Sequence, residues 1–85
     1  MKIYRSSKFA KEYKKLPLKI KLLSEEKEGI FRKNPFNRSL KTHKLKGELS
    51  EFYSFSVTYK YRIVFHFEGK ETIIFDNIGT HAVYR

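Results

Sequence analysis

The feature that most constrains this chain is a change of hydrophobic period partway along it. Up to about residue 33 the apolar residues recur every three or four positions; from residue 52 onward they alternate with polar ones. The first pattern makes one apolar stripe on a helix, and the second makes one apolar face on a strand. In KFAKEYKKL, Phe9, Tyr13 and Leu16 stand at i, i+4 and i+7, with Ser6 or Ser7 available as an N-cap hydroxyl. Pro17 interrupts that helix and suits the first turn of another running from Leu18 to about Lys33. Ile20, Leu23, Ile30 and Phe31 share its inner face, with Leu18 and Leu22 on the flank. Arg32 and Lys33 complement the dipole of its last turn, and Asn34-Pro35 ends it.

The alternating half reads as strands. FYSFSVTY sets Tyr53, Phe55, Val57 and Tyr59 on one face and Ser54, Ser56 and Thr58 on the other. YRIVFHF sets Tyr61, Ile63, Phe65 and Phe67 against Arg62, Val64 and His66. EGK is a short hairpin connection into ETIIFDNI, a more buried strand, while KIYR at the N-terminus and HKLKG in mid-chain offer short extra strands. Helices segregated from strands predict an α+β fold: a short N-terminal strand, then a two-helix hairpin packed on one face of a three- to four-stranded antiparallel sheet. A chain of 85 residues fits one domain, 1–85.

Charge narrows the class of partner. Lys and Arg total 19 against 9 acidic residues, a formal net charge of +10. A small domain so basic points to a polyanion, with nucleic acid first and an acidic protein second. There is no cysteine, so neither a disulfide framework nor a thiolate metal site can form. No apolar run approaches the roughly 18 residues of a membrane span, and MKIYRSSKFAKEY lacks the apolar stretch of a secretory signal. A cytoplasmic protein with no membrane association is therefore expected. The three histidines, His43, His66 and His81, show no metal-ligand spacing, and there is neither a Gly-rich phosphate loop nor a G-x-S-x-G elbow. No metal, cofactor or nucleophilic serine is expected.

The remaining candidates are an arginine and imidazoles. Arg62, inside YRIVF, is costly in a strand unless it pairs with a carboxylate such as Glu51 or Asp76, or faces a wet cleft where it can hold a phosphate. His81 follows Gly79-Thr80 near the end of the chain and is either a capping residue or an acid/base. His43 lies in KTHKLKG among lysines. Taken together, such groups suit RNA cleavage without a metal. One group takes the proton of a ribose 2′-hydroxyl, whose oxygen attacks the adjacent phosphorus, and a second protonates the departing 5′-oxygen. A fixed cation stabilises charge on the phosphoryl oxygens. Histidine suits both proton roles because its unperturbed pKa is about 6.5.

In three respects the sequence resembles the RelE/ParE superfamily of bacterial type II toxins. These are the order of elements, the strand motif YSFSVTYKYRIVF, and the ending IGTHAVYR, which is similar to the Gly-Thr-His-…-Tyr ending of RelE-type and YafQ-like members. The resemblance implies an endonuclease acting on mRNA in the ribosomal A site and held inactive by a cognate acidic antitoxin. Carried over residue by residue, it implies His81 as acid/base, His43 as the histidine before x-Leu-x-Gly, Arg62 as the group steadying the phosphate, and Tyr84 as the C-terminal aromatic against a base. Lys41, Lys44, Lys46, Lys60 and Ser56 complete the expected RNA-contacting set. Two positions depart from the pattern: Ser56 stands where close relatives carry Arg, and only Ala82 and Val83 separate His81 from Tyr84. The alternatives on the same scaffold are a ParE-like inhibitor of DNA gyrase, and a degenerate module that only binds antitoxin or ribosome.

Overall fold

The computed structural model describes residues 1–80; His81 and Tyr84 lie outside the described residues. The elements run β1 (Lys2–Arg5), α1 (Ser7–Lys14), α2 (Leu18–Lys33), β2 (His43–Lys44), β3 (Tyr53–Ser56), β4 (Arg62–Phe67) and β5 (Thr72–Gly79), with single 3-10 turns at Arg38–Leu40 and Gly47–Leu49. The α+β architecture and both helix spans agree with the sequence reading. Among the described residues no helix is long and apolar enough to cross a membrane.

The sheet is wider than the meander alone. Its order is β1-β5-β4-β3-β2, five strands among the described residues. The β2–β3, β3–β4 and β4–β5 pairs are antiparallel, but β1 lies parallel to β5, Ile3 opposite Ile73 and Arg5 opposite Phe75. Parallel neighbours require a long crossover, and everything from α1 to β4 supplies it here. The alternation in KIYR marks a strand but does not say which edge it joins.

Both helices cover one face of this sheet. Phe9 of α1 and Phe31 of α2 are fully buried against Phe55, Phe65, Phe75, Ile63, Ile73 and Ile78. Phe31 is the hub, its ring 4.8 Å from Phe55, 4.9 Å from Phe65 and 5.4 Å from Phe75. Truncating such a buried ring to Ala costs about 3–5 kcal/mol. Leu18 and Leu22, placed on the flank by periodicity, are exposed. Outside the core, Arg5 of β1 bridges Glu25 (3.1 Å) and Glu28 (3.2 Å) of α2.

The start of α1 is tied to the middle of β5, and the reason lies in a bulge. Between Val64 and Phe65 the β4–β5 register shifts, so that Val64 faces Asn77 and Phe65 faces Phe75, with Asp76 as the extra residue. Past Phe75, β5 also loses its β1 partner, because β1 ends at Arg5. Two backbone groups on that open side find side chains instead. Ser6 Oγ donates to the Asp76 carbonyl (2.9 Å), and the Ile78 N–H donates to Glu12 Oε1 (3.0 Å). Ser6 is also the N-cap of α1, accepting from the Phe9 N–H at 2.9 Å. One serine thus caps the helix and replaces a ladder partner.

Strand β3 stops sooner than its alternation implies. After Ser56, the Val57 and Thr58 N–H groups both reach the Tyr61 carbonyl (2.9 and 3.2 Å). Thr58 Oγ1 accepts from the Lys60 and Tyr61 N–H groups at 3.2 and 3.1 Å. That Thr-centred loop turns Tyr59 outward, to 88 % exposure.

Candidate nucleic-acid interface

The face turned away from the helices carries the polar positions of the strands. Register sets Ser56, Arg62 and Gly79 in one row, His43, Ser54, Val64 and Asn77 in the next, and His66 beyond them on β4. Arg62 and His66 are four residues apart on β4 and so share this face.

Arg62 resolves the choice left open by the sequence. It makes no ion pair with Glu51, and Asp76 is engaged elsewhere, by His66. Its Nη1 donates to Ser56 Oγ. Its Nε is buried and has no hydrogen-bond partner among the described residues. Such an unfilled donor is costly unless a ligand completes it. Ser56, where the resemblance led one to expect Arg, is thus the group that orients Arg62.

The guanidinium lines a cleft of about 270 Å³ at the end of β3 where β2 no longer pairs. Its cations are Lys27, Lys41 and Arg62; Ser39, Ser56 and Thr58 add hydroxyls, and Val57 and Tyr59 complete the wall. None of these lining residues is acidic. Lys41 reaches it from a left-handed backbone, φ 53° and ψ 40°, at the end of the Arg38–Leu40 turn. A non-glycine residue there costs about 1 kcal/mol or more, and strain of this kind collects at ligand sites.

Lys41, Ser56 and Arg62 therefore converge. His43 is on the same face but on β2, two strands from Arg62, roughly 10 Å across the sheet. It is exposed, and its Nδ1 lies 3.1 Å from the Lys41 carbonyl. An N–H on Nδ1 donating there leaves Nε2 free to accept a proton. Lys44 and Lys46 lie further along the β2 edge beside His43, lining a second hollow with Leu45 and Leu49. Lys60 is exposed in the β3–β4 loop next to the cleft, without lining it.

Sequence reasoning missed Lys27 and Tyr59. Lys27 falls four residues after Leu23 and four before Phe31, so it interrupts the apolar stripe of α2, and it is half-buried. A lysine inside an apolar stripe was the available signal. Alternation puts Tyr59 on one face with Tyr53, Phe55 and Val57; the Thr58 loop overrides that alternation.

His66 is arranged differently. Its Nδ1 is 2.7 Å from Asp76 Oδ2 and its Nε2 is 3.0 Å from Glu68 Oε2. Burial would lower the imidazole pKa, but the hydrogen bonds to Asp76 and Glu68 outweigh it and hold the pKa above its ordinary value. For Asp76, burial is the larger effect and raises its carboxyl pKa, with the His66 bond offsetting only part. A ring with both nitrogens held by carboxylates has no free site for exchanging a proton with a substrate.

No protein-family model matches the chain, and no curated protein matches it. Solved structures do. The YoeB/ParE toxin from Agrobacterium tumefaciens superposes with a TM-score of 0.81 at 18 % identity, over 95 % of this chain and 99 % of that one. YafQ from E. coli gives 0.79 at 20 % identity, over 96 % and 94 %. The toxin–antitoxin complex RelBE2 from Mycobacterium tuberculosis gives 0.78 at 18 % identity, over 94 % and 96 %. At these identities the likeness is one of fold: the chain has the RelE-like fold of these toxins.

Proposed function

We propose that this chain is the toxin of a type II toxin–antitoxin pair and that it cleaves mRNA. The observation that carries the reading is Arg62, a cation with no carboxylate partner among the described residues and with a buried, unfilled Nε. It opens on a cleft whose lining holds two lysines and no acid. That is a site for a phosphodiester, and the RelE-like fold it sits in is shared with toxins.

In the proposed reaction, His81 takes the proton of the ribose 2′-hydroxyl and the freed oxygen attacks phosphorus. The bond to the 5′-oxygen breaks, leaving a 2′,3′-cyclic phosphate and a 5′-hydroxyl, with His43 supplying the proton to the leaving oxygen. Arg62 neutralises charge on the phosphoryl oxygens as it accumulates. Strand β5 ends at Gly79, directly opposite Arg62, and His81 follows Gly79 by two residues in the sequence. Tyr84 is assigned to an mRNA base, and Lys44, Lys46 and Lys60 to backbone phosphates. These groups complete the chemistry without a metal or cofactor. The proposed partners are mRNA in the ribosomal A site and an acidic antitoxin, which would neutralise the basic face; one structure of similar fold is a toxin–antitoxin complex.

Primer extension on mRNA after induction tests this reading. Cuts within codons should appear with the native chain and disappear with His81→Ala, whose loss costs on the order of 10²–10⁴ in rate. A folded His81→Ala variant that still cuts removes the acid/base assignment. Inhibition of gyrase supercoiling with mRNA left intact would replace the nuclease by the gyrase reading, and neither effect would leave a binding module.

A further inference from the structure

We infer that Tyr59 is a stacking platform for a base of single-stranded RNA, with Lys27, Lys41 and Arg62 holding the adjoining phosphate. The inference rests on the RNA reading above and adds to it a subsite at the β3 edge, remote in sequence from the C-terminal aromatic. Tyr59 is 88 % exposed, yet it forms the lip of a cleft containing those cations and no acidic side chain. An aromatic face beside a cationic groove is how single strands are gripped, the ring taking the base and the cations the backbone. A duplex keeps its bases stacked on each other and offers this ring no face. An acidic peptide would satisfy the cations and leave the ring without a purpose.

The platform is built in advance of its ligand. Thr58 Oγ1 accepts from the N–H groups of both Lys60 and Tyr61, and the Tyr61 carbonyl accepts from Val57 and Thr58, so the backbone beneath Tyr59 is fixed on both sides. Little ordering entropy is then lost on binding. Lys27 approaches from α2 with its stem half-buried, and Lys41 is held in a left-handed conformation. Arg62 contributes a buried Nε that no described residue fills.

The chain contains no tryptophan, so Tyr59→Trp gives a single indole reporter at the lip. The probe is a 2′-O-methylated single-stranded oligonucleotide, which attack by the 2′-oxygen cannot cleave, followed in parallel by the anisotropy of an end label. Indole emission should be quenched over the same concentrations at which anisotropy saturates, and pyrophosphate should not quench it. Tyr59→Ala should weaken binding about ten- to a hundred-fold, the range for one stacked base, whereas Tyr59→Phe should retain most of the affinity. Lys27→Ala should reduce the slope of log affinity against log salt by about 0.7. Binding by anisotropy with unchanged indole emission and native affinity in Tyr59→Ala would overturn the stacking subsite while leaving the RNA reading intact. No oligonucleotide binding at low salt would overturn both. Quenching by polyglutamate but not by the oligonucleotide would overturn the subsite and assign the cleft to an acidic protein.

Discussion

Arg62 and His66 stand four residues apart on β4, on the same face of the same sheet, yet their surroundings are opposite. His66 is clamped by Asp76 and Glu68, and each ring nitrogen has a carboxylate. Among the described residues Arg62 has only a serine hydroxyl, and its buried Nε has no partner. The difference originates in β5. Its bulge brings Asp76 out of the ladder beside His66, while β5 meets Arg62 with Gly79, which has no side chain to offer. At one end of the strand both imidazole nitrogens are met by carboxylates; at the other a buried donor has no partner among the described residues, and an anion is proposed to fill it. Partnering, more than residue type, separates the group proposed to be structural from the one proposed to be functional.

The comparison breaks if the two groups behave alike when removed. Arg62→Ala should lower the cleavage rate by on the order of 10²–10³, as for loss of a preorganised donor to a developing oxyanion. Its thermal unfolding should stay close to native, measured by circular dichroism alongside primer extension. His66→Ala should do the reverse. Cleavage should remain within a few-fold of native, while denaturant unfolding shows a loss of about 1–3 kcal/mol, because Asp76 is left partly buried without its partner. An inactive but fully stable His66→Ala variant would mean that the clamp belongs to the chemistry.

The pH dependence sharpens the same contrast. The folded-state pKa of His66 is raised, so the folded protein holds that proton more tightly than the unfolded chain. Its contribution is fully present below about pH 6.5, the unperturbed value, and is lost as pH rises through the folded pKa. The difference in unfolding free energy between the native chain and His66→Ala should therefore shrink as pH rises above about 6.5; a difference that grows would contradict the clamp. The smallest expected effect is that of chelation. Cleavage measured with and without EDTA should agree within about two-fold, since Arg62 and the histidines are proposed to supply every charge the reaction needs; abolition by EDTA would require a metal instead.

Much of the fold was legible in the sequence because it depends on local periodicity. The stripe Phe9, Tyr13, Leu16 and the face Ile63, Phe65 point where their spacing says, and Ser6 caps α1 as its chemistry suggests. Alternation failed at Tyr59, where the hydrogen bonds of Thr58 end the strand early; at KIYR it marked the strand but not its partner, because the pairing with β5 joins residues some seventy positions apart. Such a pairing leaves no mark in a short window. In the candidate site, Arg62 and Lys41 could be named from sequence, but Lys27 and Tyr59 come from elements whose approach to one another is a matter of packing.

By itself, then, the sequence determined the basic charge, the two helices, the alternating strands and the short list of groups able to move a proton or hold a phosphate. Those properties follow from residue type and from spacing along the chain. Tertiary structure alone decided that Arg62 has no carboxylate partner among the described residues. Glu51 and Asp76 were both candidates to pair with Arg62, and the β5 bulge gives Asp76 to His66 and leaves Arg62 opposite a glycine. Ion pairs form within about 4 Å, and the chain comes that close to itself only after the strands have chosen their register.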